Sequence, residues 1–410
     1  MNSSDMRLTR QQVGSQGRKG SRALILKMLK QLRGAGLTLL EQNSEPLFFG
    51  DEHATLQGQI EVQDQRVYRR VLLGGSIAAG ESYIDGDWTT PNLTTVLQLL
   101  AENLSLVDKI ESRLSWLSSP ANSLIHFFRR NSPEQARKNI SAHYDLGNDF
   151  YQGFLDNQML YSSAWYQENA MTLEQAQEAK MRRLCDQLAL RAEDHLLEIG
   201  TGWGAMAEFA AREYGCQVTT TTISREQFEF ASQRIAQAGL SDRVTVLFED
   251  YRVLSGQYDK LVSIEMIEAV GKRYLPTFFK RCHALLKPKG RMALQAITIA
   301  DQRYKHYSRN VDFIQRYIFP GGFLPSISAM TDSMSRHTGL VVRDLFDIGT
   351  DYARTLHEWR ERVIHYWNGQ NARYTDERFR RLWLFYLCYC EAGFRARTIS
   401  TVQLTAERRG

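Results

Sequence analysis

The chain has 410 residues, 43% hydrophobic and 24% charged, with a net charge of +5. That is the make-up of an ordinary soluble globular protein, long enough for two or three domains with their own cores. It excludes several classes. No apolar run reaches the ~20 residues of a membrane span, and the N-terminus has no apolar core followed by a cleavage site. No internal repeat is present. The five cysteines lack metal-like spacing and read as reduced thiols of a cytoplasmic protein.

In chain order, residues 1–34 are basic: Arg7, Arg10, Arg18, Lys19, Arg22, Lys27, Lys30 and Arg33 face only Asp5. Leu24, Ile25, Met28, Leu29 and Leu32 fall on one helical face. Such a helix suits either an anionic lipid surface or the core of its own domain. Nothing in it resembles a nucleic-acid-binding pattern, so no nucleic-acid partner is expected. Residues 35–110 alternate short apolar runs with turn signals and then a helical "LTTVLQLLAENL", which predicts a small α+β domain with antiparallel strands. Residues 111–139 read as a helical, basic connector, and 140–410 as the main domain.

From residue 190 onward, strands at 195–200, 217–222, 244–250, 258–265 and 291–299 alternate with helical patterns such as 204–214 and 225–238. This predicts an α/β fold with a parallel sheet. The first strand runs into "EIGTGWG", whose Gly200, Gly202 and Gly204 lie at the carboxyl edge, where such folds bind ligands. The second strand ends in Thr222, where a dinucleotide fold wants an acid for the ribose. The third ends at Asp250 and Tyr251, and the fourth brings Glu265 and Glu268 to the same edge. The order favours S-adenosylmethionine (SAM) over a dinucleotide.

Several stretches together resemble the cyclopropane-fatty-acyl-phospholipid synthases and their mycolic-acid-modifying relatives. They are "HYDLGNDFY" (143–151), "MLYSSAWY" (159–166), "LLEIGTGWG" (196–204), "TTISREQ" (221–227), "DYR" (250–252), "EMIEAVG" (265–271), "LQAITI" (294–299), "YIFPGGFLPS" (317–326), "DYARTLHEW" (351–359) and "AGFRAR" (392–397). "GESYIDGDW" (80–88) resembles the N-terminal domain of the bacterial phospholipid enzymes. The resemblance implies a Rossmann-like SAM-dependent methyltransferase domain with a smaller N-terminal α+β domain.

It also implies the chemistry: methylene transfer to a cis double bond of a phospholipid acyl chain, or C-methylation without ring closure. SAM would be held by Tyr161, Ser162, the three glycines, Thr222, Ser224, Gln227, Asp250 and Tyr251. An alkene carbon attacks the methyl and leaves a carbocation, and a base must then remove a proton. A strong protein base there risks alkylation, and the resemblance implies bound bicarbonate instead. Its cage would be Glu268, Gln295, Tyr352 and the backbone N–H groups of Ser163 and Ile297. Ser163 stands where many relatives have Cys, and Gln295 where many have His. Tyr166, Tyr317 and Phe319 are candidates for stabilising the cation through their ring faces. The expected setting is the cytoplasm, peripherally at the inner membrane face, with a homodimer left open.

Overall fold

A computed structural model describes residues 20–112, 146–369 and 372–410. The chain forms two compact units. One combines the N-terminal part with Tyr374–Ala396; the other holds the middle of the chain to Arg373 and resumes at Arg397–Gly410. The expected 140–410 domain is therefore interrupted. The helix Glu377–Arg395 buries Trp383, Phe385, Tyr386 and Leu387 within the first unit. There Thr94 Oγ1 donates to Glu391 at 3.1 Å, and the Tyr83 and Phe385 rings lie 5.8 Å apart.

The first unit carries a four-stranded sheet: β1 (Gly36–Glu41), β2 (Leu47–Gly50), β3 (Gln57–Val62) and β4 (Trp88–Thr89), in the order β2-β1-β3-β4. The outer pairs are antiparallel as expected, but β1 and β3 run parallel. The crossover feeding β4 contains the helix Arg66–Ile84, which the Gly74-Gly75 turn signal disguised. Gly75 does leave helical geometry (φ 60), yet the helix continues on both sides because Val67, Tyr68, Leu72, Ile77 and Ile84 are all buried.

The basic stretch is helical over 20–29, and its apolar face is spent at home. Ile25, Met28, Leu29 and Leu32 are buried, and Arg22 pairs with Glu41, which also accepts from the Tyr68 hydroxyl. Lys27 and Lys30 stay exposed, as do the small or polar Gly20, Ala23 and Gln31. The apolar stripe is thus core, not a free lipid-binding face. Arg7, Arg10, Arg18 and Lys19, the connector beyond residue 112, and His143 to Asp145 lie outside the described residues.

The second unit is built on a seven-stranded sheet: β5 (His195–Ile199), β6 (Gln217–Thr222), β7 (Val244–Phe248), β8 (Tyr258–Ile264), β9 (Leu286–Ile299), β10 (Leu340–Asp347) and β11 (Ile399–Arg408). The order is β10-β11-β9-β8-β5-β6-β7. The strands β7-β6-β5-β8-β9 are parallel to their neighbours, and β11 pairs antiparallel with both β9 and β10. Apolar strand residues meet helices on both faces. Leu196, Val218 and Val262 pack in one core with Met206, Ala210, Leu184 and Leu188; Leu197, Leu261 and Leu294 pack in the other with Phe278, Phe279 and Met330. A parallel sheet covered on both faces leaves its strand ends as the place for a ligand, and the order reverses between β5 and β8. Among the described residues no helix is long and apolar enough to cross a membrane.

Candidate active site

The turn after β5 is made of three left-handed glycines with different tasks. Gly200 (φ 102) passes Met266 so closely that a Cβ would sit 3.2 Å from that side chain. Gly204 (φ 88) lets the following helix, Ala205–Tyr214, approach Ala231, where a Cβ would come within 3.1 Å. Gly202 (φ 53) faces open space, with nothing within 4 Å of a built Cβ. That is the vacant backbone surface a nucleoside-bearing ligand needs.

At the end of β6 the hydroxyl motif first serves the fold. Ser224 is the N-cap of the helix Arg225–Gln237 and accepts from Gln227 N–H at 3.3 Å. Thr222 Oγ1 donates to Gln227 Oε1 at 3.0 Å and accepts from Ser224 N–H at 3.1 Å. These buried groups are neutral, and at the carboxyl edge they stand where the acid is missing. Asp250, after β7, is gripped by Arg252 through bonds of 2.9 and 2.6 Å. Tyr251 packs edge-on against Phe278, with centroids 5.6 Å apart, so its ring belongs to the core.

At the ends of β8 and β9 the side chains converge. The segment carrying Tyr161, Ser162 and Ser163 is braced by the helix Leu173–Leu188, which begins with a Thr172/Gln175 capping box. From it Gln177 donates to the Ser162 carbonyl at 3.0 Å, and Lys180 Nζ bonds Ser162 Oγ at 2.7 Å. Ser163 turns its hydroxyl to the Ala164 carbonyl and points its N–H elsewhere. That N–H donates to Glu265 Oε1 at 2.9 Å. Gln295 Nε2 donates to the same oxygen at 2.9 Å, and the Tyr352 hydroxyl donates to Glu265 Oε2 at 2.7 Å. Gln295 is itself oriented by Gln403, whose amide donates to Gln295 Oε1 at 2.9 Å. The Ile297 N–H goes to Glu268 Oε1 at 2.5 Å.

The five expected cage residues thus come together, but around the wrong anion. Their donors are committed to two of the chain's own carboxylates, so they do not fit bicarbonate as a separate guest. Glu265 is the centre that motif reading passed over. Its backbone is left-handed (φ 49), which is unusual for a residue with a side chain.

The two carboxyls differ in charge environment. Burial raises both above the ordinary range. Glu265 is pulled back toward the anion by Gln295, Ser163, Tyr352 and the positive charge of Lys180. Glu268 is pushed up to about 8 by burial and then by the charge of Glu265. Its Oε2 is shut from solvent with no partner beyond the residue's own backbone amide. Lys180, wholly buried, is lowered to about 8 by desolvation, against the pull of Glu265 and Asp156.

Aromatic rings wall this region. Tyr161 lies 5.2 Å from Trp359, 5.4 Å from Tyr151 and 6.4 Å from Phe319, and Trp203 of the glycine turn lies 5.2 Å from Tyr151. Tyr352 meets Trp359 edge-on at 6.0 Å. Two expected cation stabilisers are otherwise engaged. Arg354 covers the Tyr166 ring at 3.9 Å, and Tyr317 is 37% exposed with Arg316 over it. Phe319 does join the wall. Trp359, Trp203 and Lys180 had no signal of their own in the sequence, beyond lying in or near matching stretches.

A sheet with this order, a glycine turn at its switch point and neutral hydroxyls in place of the ribose acid define a SAM-dependent methyltransferase. The model of the mycolic acid cyclopropane synthetase family matches residues 131–404, and the chain belongs to that family. It is 42% identical to the tuberculostearic acid methyltransferase of Mycobacterium tuberculosis over 83% of this chain and 81% of that one. It is 37% identical to the cyclopropane-fatty-acyl-phospholipid synthase of Escherichia coli, over 85% and 87%. Among solved structures, a cyclopropane synthase from Mycobacterium tuberculosis superposes with a TM-score of 0.62 at 30% identity, covering 66% of this chain and 98% of that one. A mycolic acid cyclopropane synthase complexed with SAH and CTAB gives 0.61 at 30%, with the same coverage.

Proposed function

We propose that this protein transfers the SAM methyl group to a cis double bond of an unsaturated phospholipid acyl chain, and that the product keeps a double bond as a methyl- or methylene-branched chain. The observation that carries the reading is the pair of carboxylates, Glu265 and Glu268, one strand away from the open glycine turn. Bound at that turn, SAM supplies an electrophilic methyl group. The chain's own residues do the rest. The turn and the β6 hydroxyls hold the nucleoside end, and Tyr161, Trp359 and Phe319 exclude water and offer ring faces to developing positive charge. The carboxyl pair offers a place for the proton that must leave.

Branching is favoured by the similarity to the tuberculostearic acid methyltransferase. Ring closure is the second reading, supported by the similarity to the cyclopropane synthase of Escherichia coli. Expression in a host lacking such enzymes, followed by mass spectrometry of its fatty acids, separates them. A gain of one CH₂ with the double bond retained supports branching, and the same gain with the double bond lost means a ring. Unchanged fatty acids in cells that hold folded, SAM-binding protein contradict both. A phospholipid substrate would bring the enzyme to a membrane surface. There the exposed Lys27 and Lys30 would meet anionic headgroups, in a contact that salt weakens.

A further inference from the structure

We propose that Glu265 occupies the place expected for bicarbonate and is itself the base of the reaction, so that turnover needs no dissolved bicarbonate. The inference rests on the methyl-transfer reading above and names the group that completes it. Four features carry it.

First, the donors expected to cradle a small anion are directed at this one carboxylate. The Ser163 N–H and Gln295 amide reach Oε1, and the Tyr352 hydroxyl reaches Oε2. They come from three distant parts of the chain, so the arrangement is a product of the whole fold and not a local turn. Secondly, the backbone of Glu265 is left-handed (φ 49), and its own N–H is tied to the Gln295 carbonyl at 2.8 Å. A side chain held in that region is strained, and such strain persists where the surroundings require it. Thirdly, Gln403 fixes the Gln295 amide so that it presents N–H and not its carbonyl to Glu265. Fourthly, Glu265 has three hydrogen-bond donors and the charge of buried Lys180 to favour its anion, whereas Glu268 has burial and the charge of Glu265 against its own, so of the pair Glu265 is the better placed to carry the negative charge.

The step balances without another reagent. The alkene π pair forms the new C–C bond to the methyl carbon, and the methyl–sulfur pair leaves with sulfur as neutral S-adenosylhomocysteine. The acyl chain holds one positive charge. Glu265 then takes a proton: from a C–H next to the cationic carbon, the released pair makes the new C=C bond; from the newly added methyl, the released pair closes onto the cationic carbon as the ring bond. Glu265 ends as a neutral acid and returns its proton to water as the product leaves. The risk of alkylating a protein carboxylate is met by the same three donors. They draw charge from both oxygens and fix their positions, leaving Oε2 one bonded partner and a free lone pair.

The test uses the full chain, SAM and phosphatidylglycerol vesicles with cis-unsaturated acyl chains, in buffer stripped of carbon dioxide. The parent enzyme is expected to turn over at an unchanged rate when bicarbonate is removed. Glu265→Gln should bind SAM and melt as the parent does, yet lose ~10²–10⁴-fold in rate, as for removal of a positioned base. Glu265→Gly suits the left-handed backbone and opens the anion position. It should be inactive in stripped buffer and regain part of its rate, saturably, with added bicarbonate or formate. If Glu265→Gln fails to fold, the parent's response to bicarbonate and the rescue of Glu265→Gly still decide. Parent activity that falls with bicarbonate, or a Glu265→Gly protein active without any added anion, overturns the inference and leaves methyl transfer standing. A parent that methylates no acyl chain under any condition overturns the functional reading instead.

Discussion

Two ends of one sheet edge are built on opposite rules. At β5 and β6 the polar groups are backbone and small neutral side chains, and the space over Gly202 is left open. At β8 and β9 nearly every donor is already committed to a neighbour, and two carboxylates share the space with a buried lysine. The difference separates binding from chemistry. A cofactor of fixed shape needs room and backbone it can approach. A base beside a carbocation needs a fixed position and controlled charge, and that takes a densely bonded pocket.

The sharpest way to break this division is Gly202→Val. A branched side chain at φ 53 is strained and fills the space that Gly202 leaves open. Complete loss of SAM binding is expected by calorimetry, and a folded variant that still binds would move the cofactor elsewhere. Tyr352→Phe acts at the other end. Losing one hydrogen bond to a charged group, about 1.5–3 kcal/mol, should lower kcat about 10–150-fold with SAM affinity unchanged. An equal loss in affinity would erase the distinction between the two ends. Gln403→Met is milder: it frees Gln295 to rotate without touching Glu265. A rate loss of about fivefold is expected, on the order of 1 kcal/mol.

The last effect concerns pH and is read in stability, not in rate. Glu268 titrates near 8 in the fold against an ordinary value of 4.5. Between these values the folded protein binds more protons than the unfolded chain, so this carboxyl makes stability fall as pH rises. Glu268→Gln removes that dependence. Its melting temperature should therefore gain on the parent's from pH 5 to pH 8. Parallel melting curves over that range would mean that Glu268 is an ordinary, solvated carboxylate.

Sequence pattern made the binding end easier to read than the chemical end. The β-branched run Val218 to Thr222 and the glycine spacing are local signals, and β5 to β9 fall close to where they are expected. β11 hides because "STVQLT" reads as polar, although Thr401, Gln403 and Thr405 are all buried between β9 and β10. Its role appears only when Gln403 meets Gln295. Glu265 was visible as one of two acids at a strand end, but its importance depends on a backbone angle and on donors from around residues 163, 295 and 352. No local pattern encodes either. The basic N-terminal stripe was ambiguous for a similar reason, since burial and membrane binding demand the same spacing of Ile25, Met28, Leu29 and Leu32.

The central claim is that this chain places a methyl group on the alkene of a lipid chain. The most direct test gives purified protein SAM with a deuterated methyl group and phospholipid vesicles that carry cis-unsaturated acyl chains. The label is followed by mass spectrometry of the released fatty acids. The account predicts label on an acyl carbon of the former double bond, and none when the vesicles carry only saturated chains. Bound SAM with no label in any acyl chain would contradict it.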